Sequence, residues 1–142
     1  MESVQVPGGW LLRVEAGEAL PDALVEHCRS RGIRAATAEG LGALSDVQLG
    51  FYDVRTREYD RTTLPGSWEL LQMFATVAEW EGELFAHTHV VLSGADFVAR
   101  GGHLFRGIVS VTAEIRLWTI DRPLHRRGHE EFALHFLDLG RG

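Results

Sequence analysis

Phe85-Ala86-His87-Thr88-His89-Val90-Val91-Leu92, then Ser93-Gly94-Ala95-Asp96, then Gly101-Gly102-His103-Leu104, is the passage from which the fold is read. Apolar and polar residues alternate through the first segment, so it reads as a strand with one buried face. The second segment has turn chemistry. The third opens a long apolar stretch, residues 104–120, that reads as another strand. Together they predict an antiparallel hairpin centred on Ala95 or Asp96. Strand alternation puts His87 and His89 on one face, roughly 6.5 to 7 Å apart. A hairpin with that centre places His103 opposite His87 or His89.

Upstream, residues 68–80 form a long apolar segment that ends at Glu81-Gly82, a hairpin tip. Pro65-Gly66 reads as a turn, with strands at residues 47–52 and 58–63 before it. Residues 34–44 read as a strand ending in Glu39-Gly40-Leu41-Gly42-Ala43-Leu44. Gly40 and Gly42 nearly mimic a dinucleotide fingerprint, but the third glycine is missing and a strand follows where a helix is needed, so a glycine bend is the reading. One helix is expected over residues 20–31, because Leu20, Leu24 and Cys28 recur at helical spacing with Val25 alongside. Pro21 and Asp22 suit its first turn, Arg29 and Arg31 its last, and Gly32 with Ile33 its left-handed cap. Residues 10–15 form a first strand. After Pro123, residues 131–139 read as a closing strand or a short helix. One helix against seven or more strands, joined by hairpins, is an α+β domain with a mostly antiparallel sheet, and residues 1–142 show no linker or repeat to divide them.

The 142 residues carry a net charge of −6, and 45% are hydrophobic, enough for a core. No apolar run approaches the roughly 18 residues of a membrane helix. The start, Met1-Glu2-Ser3-Val4-Gln5-Val6-Pro7, lacks the basic and apolar regions of a secretory signal, so a cytoplasmic protein is expected. All 14 basic residues are arginine, which excludes lysine Schiff-base chemistry and the phosphate lysine of a nucleotide loop. Cys28 stands alone, so no internal disulfide exists and no multi-cysteine metal site can form; on the apolar stripe of the helix it reads as core.

Chemistry is sought first among the seven histidines. His87, His89 and His103 converging from two strands would offer three neutral nitrogens and leave a coordination position open, a divalent-cation site of catalytic type with zinc as first choice. The plain alternative is a set of strand histidines satisfied by backbone carbonyls or water. A metal site used for acid–base work recruits a carboxylate. Glu69, set in the apolar run Trp68-Glu69-Leu70-Leu71, is the candidate catalytic base or fourth ligand, with Glu39 and Glu114 as competitors and a solvated strand face as the alternative for each. Arg122, His125, Arg126, Arg127 and His129 form a basic cluster, read as a solvated loop because Glu130 and Glu131 follow. Trp10, Trp68, Trp80 and Trp118 are read as packing or subunit contacts.

From about residue 9 to residue 120 the sequence resembles the PPC domain (plants and prokaryotes conserved, DUF296) family. The resemblance is carried by Gly40-Leu41-Gly42-Ala43-Leu44-Ser45-Asp46-Val47-Gln48-Leu49-Gly50-Phe51-Tyr52-Asp53, then Trp68-Glu69-Leu70-Leu71, His87-Thr88-His89-Val90-Val91-Leu92 and Gly101-Gly102-His103-Leu104. It implies a strongly bent antiparallel sheet, a homotrimer, and a protein-interaction module. Plant members join the domain to an AT-hook that binds DNA; this chain has no Arg-Gly-Arg-Pro core and no basic arm. The fold so implied is similar to that of acetolactate decarboxylase, whose zinc is held by a His-x-His pair and a third histidine, an order that His87, His89 and His103 match.

Two functions are therefore expected to compete. One is a trimeric zinc-binding protein that catalyses metal-assisted hydrolysis or decarboxylation of a small molecule. The other is a non-catalytic, DNA-associated regulatory or protein-interaction module. Acidic charge favours the first, since DNA binding draws on a basic face.

Overall fold

The computed structural model describes residues 1–140. In chain order its elements are β1 (Glu2–Val6), β2 (Gly9–Glu15), β3 (Ala19–Leu20), α1 (Asp22–Ser30), β4 (Ala36–Asp53), β5 (Glu58–Trp80), β6 (Glu83–Ser93), β7 (Ala99–Thr119), β8 (His125–His129) and β9 (Leu134–Asp138). This is a bent α+β fold, mostly sheet with one short helix.

The helix ends as its sequence predicts. Gly32 has φ of 67°, Ile33 N–H donates to the Cys28 carbonyl at 2.9 Å and Gly32 N–H to that of Arg29 at 3.2 Å. That pair of bonds satisfies two carbonyls the helix leaves free. Leu24 and Cys28 are fully buried beneath it. Burial raises the Cys28 thiol to about 12, so it stays a protonated, unreactive core group.

The sheet is organised by four long strands that pair in a cycle. β4 pairs with β5 and with β7, and β6 pairs with the far half of β5 and with β7, all antiparallel. The inward faces supply Leu44, Val47, Met73, Val77, Val90, Leu92, Leu104, Ile115 and Leu117, which pack with Leu24 and Cys28 of α1 into one core. β2 extends β7 on the other side, and β1 extends β2. β8 touches β5 in parallel at Glu79 and His125 and forms a hairpin with β9.

Several expected breaks are bridged. The strands read at 34–44 and 47–52 are one strand, β4, with register shifts at Gly40/Gly42 and Ser45/Val47. The strands read at 58–63 and 68–80 are likewise one, β5. Pro65-Gly66 is no hairpin turn: it bulges opposite Asp46, which takes a φ of 49°. Proline is tolerated there because the ladder is interrupted at its missing N–H. Residues 2–6, not read as structured, form edge strand β1, and the basic cluster at 122–129 is mostly strand β8. Glu81-Gly82 is the hairpin tip expected, both residues at positive φ.

Bending β4 tightly requires the absence of side chains. A Cβ on Gly42 (φ +153°) would stand 2.2 Å from the Thr112 carbonyl oxygen, whereas one on Gly32 would meet nothing within 4 Å. Gly32→Ala should therefore cost only the left-handed penalty, about 1–2 kcal/mol. Gly42→Ala must also displace the β7 backbone and should cost more than about 4 kcal/mol. Urea unfolding of the two variants measures the difference.

Candidate metal centre

Alternation along β6 sends Ala86, Thr88 and Val90 into the core and turns His87 and His89 to the opposite face. His89 is the register partner of His103, the pairing that a hairpin centred on Asp96 requires. Two glycines let β7 come close just before it: a Cβ on Gly101 would lie 2.4 Å from the Val90 carbonyl oxygen, and one on Gly102 2.9 Å from that of Gly50. Beyond His103 the face changes. His103 and Phe105 point away from the core, whereas Val109 and Ala113 are buried in it and Val111 is 69% exposed. Plain alternation, which would keep these residues on one face, is broken by shifts in β7 against β4 between Gln48/Leu49 and Gly42/Leu44, since one extra residue reverses a strand's two faces.

The three imidazoles meet. Ring centroids lie 4.9 Å apart for His87 and His89, 5.2 Å for His87 and His103, and 5.4 Å for His89 and His103. One nitrogen from each ring lies within 4.8 Å of the others, and Nε2 of His87 is 3.1 Å from Nε2 of His89. His103 is 9% exposed, and its Nδ1 has no hydrogen-bond partner among the described residues. It is walled by Tyr59 at 5.2 Å and Phe105 at 4.8 Å between centroids. Those two rings need Gly50 between them, because a Cβ there would sit 2.5 Å from Phe105 and 2.8 Å from Tyr59. His89 is exposed, so the cluster opens to solvent on its side.

Burial holds His87 at about 4, helped by the positive charge of Arg126 and by His89. Burial likewise holds His103 at about 4, followed by its neighbours His87 and His89 and by Arg61 and Arg126. Both rings are thus neutral at neutral pH with lone pairs free, the form in which imidazole ligates a cation. Burial also pushes the Tyr59 phenol upward, so it stays protonated beside the cluster.

The carboxylates expected nearby stand apart. Among the described residues, the group able to hold an ion around these rings consists of the three histidines alone. Glu69 is exposed and pairs with Ser93, four residues beyond His89 or roughly 13 Å along the strand. Glu39 is separated from His89 by Phe74, the register partner of both. Glu39 and Glu114, both exposed, line a separate groove of about 700 Å³ with Leu11, Leu41 and Leu71. Sequence reading missed Arg126. It was placed in a solvated loop, yet the alternation of buried Leu124, exposed His125 and half-buried Arg126 is a strand signal. Arg126 therefore follows Leu124 inward, and Leu124 packs on Ala35 and Ala78.

The bent sheet that carries the three-histidine cluster is the fold of a known domain family. The model of the Plants and Prokaryotes Conserved (PCC) domain matches residues 1–121, and the chain belongs to that family. A plant- and prokaryote-conserved (PPC) protein from Pyrococcus horikoshii is similar at 31% identity, with 92% of each chain covered and a TM-score of 0.84. A metal-containing protein from Archaeoglobus fulgidus is similar at 30% identity, 89% of each chain and a TM-score of 0.82. A Ralstonia eutropha JMP134 protein whose name suggests DNA binding is similar at 27% identity, with 97% of this chain and 96% of that one covered and a TM-score of 0.91. No curated protein matches the chain.

The depressed imidazoles make stability depend on pH. The folded, metal-free protein keeps His87 and His103 neutral down to about 4, whereas the unfolded chain takes up their protons from about pH 6.5. Their stability contribution is therefore full above about pH 6.5 and is lost as pH falls toward 4. The Tm of metal-free protein should drop across that window, and less steeply in a His87→Gln/His103→Gln variant, as calorimetry at stepped pH will read.

Proposed function

We propose that this chain is a metal-binding member of its family in which His87, His89 and His103 hold a divalent cation, zinc by the chemistry of the donors. The convergence of three neutral imidazoles from two strands carries this reading. The 3.1 Å between the Nε2 atoms of His87 and His89 is close to the ~3.3 Å expected between two nitrogens on a tetrahedral zinc with bonds near 2.0–2.1 Å. A buried Nδ1 without a partner on His103 is a ring short of one ligand or hydrogen bond. The similar Archaeoglobus protein is named for containing metal.

His87, His89 and His103 would hold the zinc, which would supply Lewis acidity toward a water or a carbonyl oxygen. The chain's own residues do the rest. His103 is fixed by the Tyr59 and Phe105 rings, which exclude water from its buried side. The protonated Tyr59 phenol, its ring centroid 5.2 Å from that of His103, is the proton donor we assign to that side. With no carboxylate in the cluster among the described residues, metal-assisted hydrolysis or decarboxylation of a small molecule would look to Tyr59, and not to Glu69, for proton transfer.

The assembly we propose is a homotrimer of single-domain chains in the cytoplasm. Leu11 at 47%, Leu41 at 57% and Leu71 at 52% exposure form an apolar patch on the outer sheet face that a second copy of the chain would cover. Protein purified without an affinity tag is expected to carry about one zinc per chain by elemental analysis, His89→Ala to carry almost none, and light scattering of the same samples to give three times the 15.8 kDa chain. Equal, negligible metal in both proteins ends the metal reading.

A DNA-associated regulatory module is the second reading, supported by the name of the Ralstonia protein. The net charge of −6 opposes it, because phosphate contacts need a basic face. A duplex titrated at low salt should show no saturable binding; binding that weakens steeply with added salt would favour the module instead.

A further inference from the structure

The surroundings of the three imidazoles hold more positive charge than the histidines need. Arg126 on β8 donates from Nη1 to the His135 carbonyl at 3.0 Å and lies over the Phe85 ring, with Cζ 5.4 Å from its centroid. One arm is thereby anchored. Its Nε is buried and has no hydrogen-bond partner among the described residues. A buried guanidinium N–H left unpaired is costly, because it has lost its water without gaining an acceptor. Arg61 stands on the other side, with Cζ 3.8 Å over the Phe105 ring, and Phe105 touches His103. Arg61, Gly50, His103 and His89 share one register line across β5, β4, β7 and β6.

Neither arginine is paired with a carboxylate among the described residues. Around Arg126, two acids of the adjoining strands are already engaged: Glu79 by Arg34 and His125, and Asp138 by Arg127. Phe85, on which Arg126 lies, shares by alternation the β6 face that carries His87 and His89, and Phe105, on which Arg61 lies, touches His103, so both guanidiniums flank the cluster. A divalent cation on the three neutral rings would add two further positive charges with no acidic ligand to offset them. Such a centre is electrostatically incomplete until an anion enters.

We propose that Arg126, assisted by Arg61, is the anion seat of this site and that its ligand is a small carboxylate. The planar guanidinium fork matches a carboxylate with two parallel donors. The exposed side at His89 gives entry to a molecule of a few heavy atoms. The inference rests on the metal reading for the role of the cation, but not for the existence of the seat: the buried, unpartnered Nε of Arg126 belongs to the protein whether or not an ion is present.

Acetate is the probe. It is titrated into cobalt-loaded protein, followed by the visible d–d bands, and into metal-free protein, followed by calorimetry. The wild type is expected to bind acetate saturably in both forms, more tightly with the metal. Arg126→Gln should weaken binding at least tenfold while leaving cobalt content unchanged, and Arg126→Lys should fall between. Arg127→Gln, on the same hairpin but paired with Asp138, should bind as the wild type does, which separates loss of the seat from loss of the hairpin. Equal acetate affinity in wild type and Arg126→Gln, or no saturable binding in either form, overturns the proposal and leaves the metal reading standing. No cobalt retained but Arg126-dependent acetate binding in the metal-free protein overturns the metal reading and upholds the seat.

Discussion

The pairing of β6 with β7 puts His89 opposite His103, and this single register decides whether the molecule has a site. Strand side chains alternate, so a slip of one residue would turn His103 inward and bring Leu104 out to solvent. The core forbids that slip. Leu104, Val90 and Leu92 are all at most 3% exposed, and each large aliphatic side chain withdrawn from water stabilises the native register by about 1.5–3 kcal/mol. The histidines contribute nothing comparable to choosing the register; they are placed by residues on the other side of the same strands. Gly101 and Gly102 serve the same end, letting three backbones approach where a side chain would collide with a carbonyl.

The long strands are continuous because their irregularities are absorbed as bulges. Asp46 opposite Pro65-Gly66, and Gly42 against Thr112, turn the sheet without ending it. This bending closes the pairing cycle from β4 through β5 and β6 to β7, and β4 brings Arg61, near the start of β5, onto the register line of His103. Sequence-distant charge thus reaches the imidazoles through backbone geometry.

Local signals explain which features could be read in advance. The helix was legible from Leu24 and Cys28, its cap from Gly32, and the hairpin tip from Glu81-Gly82, because each depends on residues within one or two turns of chain. The three-histidine cluster was legible because a hairpin relates its halves by simple symmetry about Asp96. Gly42, Pro65 and Gly66 were misread as breaks, because a bulge and a turn use the same residues and only the partner strand tells them apart. The change of face along β7 after Phe105 likewise depends on its partner strand. Glu69 drew attention as a carboxylate in an apolar run; it lies on the exposed face beside the bulge at Leu71, and no pattern along β5 alone reveals that bulge. Arg126 was overlooked because charged neighbours masked the alternation that begins at Leu124.

An acidic chain with a locally positive centre discriminates by size. Charges farther away than the ~8 Å screening length at physiological salt contribute little. A small carboxylate at the histidines would therefore feel Arg61 and Arg126, both unpaired and both beside the cluster, far more than it would feel the acids spread over the rest of the surface. A duplex, one negative charge per ~1.7 Å of axis, would have to lie across tens of ångströms of that surface, and there the net charge of −6 governs. A distribution of this kind would disfavour a polyanion while leaving a compact anion attracted, so on the proposed reading the position of the arginines, and not their number, would set which partner this sheet accepts.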